Sequence, residues 1–64
     1  MRLGTVKFYN QEKGFGYITP SNGGKEVSVF AEGIIGQIKS NSIVKFDVEF
    51  TTGGLVAVKV VPLN

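Results

Sequence analysis

The sequence predicts an all-β fold wrapped into a small five-stranded antiparallel barrel. Three observations carry that reading. Apolar residues alternate with period 2, no window of eleven or more residues carries an apolar stripe at helical spacing, and clusters of Gly, Asn, Ser and Pro cut the alternation into short segments. Left as an open sheet, such short strands would present unpaired edges. Wrapping removes the edges and encloses one apolar interior. An SH3-like barrel has similar strand content and is the alternative architecture.

The first strand is expected at about residues 2–10, ended by the polar stretch Asn10-Gln11-Glu12-Lys13. The second, about 15–19, closes at Pro20-Ser21-Asn22-Gly23-Gly24, whose residues supply turn chemistry. The third covers about 26–30. Gly33 and Gly36 then punctuate residues 31–42, which are too broken for a long helix but admit one short turn. The fourth strand, 43–50, is the clearest, with Val44, Phe46, Val48 and Phe50 alternating against Lys45, Asp47 and Glu49. Thr51-Thr52-Gly53-Gly54 reads as a hairpin loop into a fifth strand, 55–61, where Val56, Val58 and Val60 alternate with Ala57 and Lys59. The interior is expected to hold Val6, Ile18, Val27, Val29, Val44, Phe46, Val48, Val58 and Val60, mostly β-branched residues suited to a pleated wall. One domain over residues 1–64 accounts for the whole pattern.

Composition narrows the chemistry. With neither Cys nor His, the chain has no disulfide, no thiolate or histidine metal site and no Ser-His or Cys-His nucleophile. Glu12, Glu26, Glu32, Asp47 and Glu49 include no pair whose spacing forces a shared cleft, and no phosphate-cradling loop pattern occurs. The expectation is a protein that is not an enzyme and uses no cofactor. No run approaches the roughly 18 apolar residues of a membrane span, and residues 1–4 lack an export signal's apolar core, so a cytoplasmic protein is expected. Seven Lys/Arg against five Asp/Glu give a net charge of +2, which tolerates a polyanion without demanding one.

Parity in the second and third strands is more telling. If Ile18 points inward, Phe15 and Tyr17 point outward; if Val27 and Val29 are buried, Ser28 and Phe30 face solvent. Exposed rings on a pleated sheet contribute nothing to the core and mark a binding surface. Bases of single-stranded nucleic acid stack on such rings at about 1 to 3 kcal/mol each, and Lys7 and Lys13 lie where they could meet phosphates. The bland alternative packs Phe15 and Tyr17 against a loop or a partner and leaves Lys7 and Lys13 as solvated charges.

The string Lys13-Gly14-Phe15-Gly16-Tyr17-Ile18 resembles the first ribonucleoprotein motif, found in RRM and cold-shock domains. An RRM needs helices that this chain does not offer. Gly4-Thr5-Val6-Lys7-Phe8-Tyr9-Asn10 resembles the cold-shock family's opening G-x-V-K-W-F-N, and Glu26-Val27-Ser28-Val29-Phe30 resembles a degraded form of its second motif, D-V-F-V-H. The resemblance covers nearly the whole chain, most closely from Gly4 to Ile18. It implies an OB-fold barrel that binds single-stranded RNA and DNA with little sequence preference and acts as a nucleic-acid chaperone. Carried over by position, Phe8, Phe15 and Tyr17 match stacking residues, Lys7 and Lys13 backbone-contacting residues, and Asn10 a base-edge position that could equally serve as a turn cap. Phe30 stands at the family's His position and could still stack. Strict alternation from Val6 turns Phe8 inward, so its outward placement requires a bulge in the first strand.

Departures from the family pattern lower the expected affinity. Ser28 replaces the second-motif Phe, Ala31 an aromatic, and Phe8 the opening Trp; Gly53 stands where a basic residue is common. The shortened connection at 34–38 raises a further expectation, a homodimer in which two chains exchange the closing hairpin. A second functional class also fits: a protein-interaction barrel in which Phe8, Phe15, Tyr17 and Phe30 dock a polypeptide.

Overall fold

In the computed structural model, which describes residues 2–63, the strands are β1 (Arg2–Asn10), β2 (Phe15–Pro20), β3 (Val27–Phe30), β4 (Ile43–Thr51) and β5 (Gly54–Pro62), with a 3-10 turn at Ala31–Gly33. They close into a barrel in the order β1-β2-β3-β5-β4, with β4 pairing back on β1. Every ladder is antiparallel except the β3–β5 seam, which runs parallel. The expected five-stranded barrel is found, with this one seam departing from the expected antiparallel pairing. Residues 31–42 carry the chain across to β1's free edge, and the β4–β5 hairpin then returns β5 alongside β3 in the same direction. The hairpin is tight: Thr51 Oγ1 donates to the Gly54 carbonyl at 2.8 Å and accepts from the Gly53 amide at 3.2 Å. It packs on β1 and β3 of its own chain.

The buried core is Val6, Ile18, Val27, Val29, Ile38, Val44, Phe46, Ala57 and Val60. Two expected members differ. Val48 is only partly buried against this cluster, and Val58 turns away from it while Ala57 points in. The cause is a bulge. Lys45 pairs with Val61 and Asp47 with Val58, so one residue on β4, Phe46, faces two on β5, Lys59 and Val60. Lys59 absorbs the extra residue with φ of 53°, in the left-handed region, and the pleat resets so that Ala57 and Val60 both point inward. Ile38, from the connection, tucks under the barrel and supplies a buried side chain that no strand contributes.

A second bulge lies in β1. Val6 pairs with Ile18 and Phe8 with Tyr17, so Lys7 is the additional residue. The reset lets Val6 point inward and Phe8 outward, with Tyr9 packing on the core. This is the geometry that the family resemblance required and strict alternation forbade.

Candidate nucleic-acid interface

Alternation along β2 buries Gly16 and Ile18, and along β3 buries Val27 and Val29. Phe15, Tyr17, Ser28 and Phe30 therefore share the outer face. The β2–β3 ladder sets Phe15 opposite Phe30 and Tyr17 opposite Ser28, while the β1 bulge sets Phe8 opposite Tyr17. Phe8 and Phe15 meet edge to face with ring centroids 5.9 Å apart, Phe8 and Tyr17 lie 5.6 Å apart, and Phe15 and Tyr17 lie 6.3 Å apart. Edge-to-face contact satisfies the ring quadrupoles and holds each ring at a fixed tilt. Phe8 is 38% exposed and Phe30 46%, whereas Phe15 and Tyr17 are half-buried between their neighbours.

Glycine makes the cluster possible. A Cβ on Gly16 would lie 2.8 Å from the Tyr9 Cα and collide with the Phe8 carbonyl oxygen, so only hydrogen lets β1 close over β2 at this point. In the turn that follows β1, Asn10 Oδ1 accepts from the Lys13 amide at 3.1 Å, and the Asn10 carbonyl accepts from the Gly14 amide at 2.8 Å. Gly14 adopts φ of 73°, and its carbonyl accepts from the Ala31 amide at 2.9 Å. That bond ties the turn carrying Lys13 to the end of β3 carrying Phe30.

The cations are placed less uniformly. Lys13 is exposed at the turn. Lys7 projects from the bulge, but its Nζ lies 2.7 Å from Glu26 Oε2, and both side chains are substantially exposed. Ser28 leaves a gap in the ring surface between Tyr17 and β5. Phe8, Phe15, Tyr17 and Phe30 thus form one surface, with Lys13 and Asn10 at its turn and Lys7 held aside by an ion pair.

Sequence reasoning missed Lys39. The connection folds back so that Ile38, Lys39 and Ser40 form one wall of an open groove of about 730 Å³, with Phe8, Tyr9 and the β1–β2 turn as the other. Lys39 becomes a third cation bordering the rings. The signal was a solitary apolar residue, Ile38, in a polar stretch; its burial fixes the position of the lysine that follows. Among the described residues no cluster of three or more His, Cys, Asp or Glu could hold a metal ion, and no helix is long and apolar enough to cross a membrane.

A closed five-stranded barrel with outward rings on its first three strands is a β-barrel of the OB type. The family model for the 'Cold-shock' DNA-binding domain matches residues 2–63, and the chain belongs to that family. It is similar to the cold shock-like protein CspJ of Salmonella typhimurium, 44% identical over 64 residues that cover 94% of this chain and 91% of the relative. The cold shock-like protein CspI of Escherichia coli is 42% identical with the same coverage. Cold shock domain-containing protein 4 of Arabidopsis thaliana is 40% identical over 57 residues, and there the match spans only 28% of the longer relative.

Proposed function

We propose that this protein binds unpaired RNA or DNA on the Phe8, Phe15, Tyr17 and Phe30 face, with low base preference, and acts as a cytoplasmic nucleic-acid chaperone without catalytic activity or cofactor. The observation that carries the reading is the ring cluster, three outward aromatics within 6.3 Å of one another on adjacent strands. Every base has a π-face, so such a surface accepts bases with little regard to identity. A duplex hides those faces, so binding shifts the equilibrium toward open strands by mass action. Lys13, in the β1–β2 turn, and Lys39, across the groove from Phe8, meet phosphates, and Lys7 joins them once it leaves Glu26. Asn10, with its carbonyl committed to the turn, retains its amide group as a donor to a base edge.

The same features support weaker binding than that of a relative with a full ring set. Ser28 forfeits a stacking position, and each lost stack removes about 1 to 3 kcal/mol, or at least about fivefold in affinity. The ion pair on Lys7 diverts one cation.

Anisotropy titration of a labelled single-stranded heptamer and of the same sequence as a duplex, each at two salt concentrations, tests the reading. Preference for the single strand and a log–log salt slope of about −1.4 to −2.1, for the two or three lysines engaged, are expected. Binding that ignores salt would instead assign the aromatic face to a polypeptide partner. Chaperone action has its own assay: a fluorescent hairpin should open at lower temperature as protein is added.

A further inference from the structure

The ring surface does not stop at β3. The parallel seam pairs Ser28 with Val56 and Val29 with Ala57. Because Val29 and Ala57 both point inward, Val56 and Val58 point outward, and the Lys59 bulge makes the turn of Val58 compatible with a buried Val60. Phe30, Val56 and Val58 then line a shallow cleft of about 310 Å³, floored by apolar side chains and rimmed by Glu32 and Lys59. That volume sits at the lower end of small-ligand pockets, the size of one flat heterocycle with its sugar. Beyond the cleft, across the β4–β5 ladder, Glu49 stands opposite Val56. Carboxylates accept hydrogen bonds from exocyclic amino groups such as cytosine N4 and adenine N6.

We infer that this β5 shelf is a terminal nucleotide subsite, where the last bound base leaves the aromatic rings, lies on Val56 and Val58, and is selected for an amino group by Glu32 and Glu49. The inference rests on the nucleic-acid reading above, because the shelf is continuous with Phe30 and its occupant arrives along the rings. Uracil and thymine turn carbonyl oxygens toward the same carboxylates and are disfavoured there. The stacking face itself stays indifferent to base identity, so discrimination is confined to one position.

Methyl-labelled protein titrated with the RNA heptamers U7 and C7 tests this. The Val56 and Val58 methyl signals should move together with the Phe15 and Phe30 ring signals, and C7 should bind about three- to tenfold more tightly than U7. In the double variant Glu32→Gln, Glu49→Gln that ratio should fall to about one. The ratio is the readout, because removing negative charge strengthens binding of both heptamers. Moving rings with silent valine methyls, or a ratio unchanged in the variant, overturns the shelf while leaving the stacking face intact. Silent rings and silent methyls overturn both. Methyls that respond to a lysine-rich peptide but to neither heptamer would give the shelf to a polypeptide and end the proposal.

Discussion

Phe8 and Phe15 lie on different strands, yet their rings meet at 81° with centroids 5.9 Å apart, and Phe8 reaches that position only because Lys7 is bulged out of β1. One additional backbone residue thus converts a side chain that alternation would bury into part of the outer ring face. The contact also makes the rings interdependent, since each fixes the tilt of the next.

Phe15→Ala removes the ring shared by two of these contacts. Affinity for a single-stranded heptamer should fall about five- to 150-fold, the scale of one lost base stack. The core does not include Phe15, so the circular dichroism spectrum should be retained. Anisotropy titration and a thermal melt on the same sample separate loss of binding from loss of fold.

Glu26→Gln should strengthen binding. It frees Lys7 Nζ from a 2.7 Å ion pair and removes a negative charge near the rings. An exposed pair contributes about 0 to 1 kcal/mol, so stability should barely change while affinity rises by up to about fivefold at low salt. The salt slope should steepen as Lys7 is released to phosphate. Unchanged affinity and slope would mean that Lys7 does not contact the ligand.

Lys59→Asn should stabilise the barrel. Lys59 holds φ of 53°, a conformation that costs a typical side chain about 1 to 2 kcal/mol and that Asn adopts more readily. A gain of about 0.5 to 1 kcal/mol corresponds to a rise in melting temperature of roughly 2 to 8 °C for a domain of this size. Scanning calorimetry reads it directly.

Gly16→Ala should do the reverse. Its Cβ would sit 2.8 Å from the Tyr9 Cα, a backbone atom that cannot rotate away, so β1 and β2 must separate where Phe8, Phe15 and Tyr17 converge. A loss of about 1 to 3 kcal/mol or more is expected, with weakened binding in the molecules that remain folded.

Much of this was legible in the chain. The clean alternation of β4 and the glycine clusters located the strands, and Val6, Ile18, Val27, Val29, Val44, Phe46 and Val60 are buried as their parity requires. The β1 bulge was legible as a conflict, because alternation and the opening motif placed Phe8 on opposite faces. The β5 bulge gave no such warning. Val56, Val58 and Val60 spell an unbroken alternation, and the residue that breaks it is a lysine, with no glycine or asparagine to mark a positive φ. Pairing across long separations was hidden as well: Lys7 meets Glu26 nineteen residues away, and the parallel seam follows from where residues 31–42 deliver the chain. Period-2 patterning reports which face a side chain occupies, and it is blind to the backbone register that decides its neighbours.

The proposed function stands on rings of adjacent strands forming a stacking surface for unpaired bases. Aromatic proton shifts of Phe8, Phe15, Tyr17 and Phe30, followed while a single-stranded heptamer or its duplex is added, test it most directly. Large, saturable upfield shifts of these rings are expected with the single strand and small ones with the duplex. Saturable binding of the single strand that leaves these rings unmoved would contradict it.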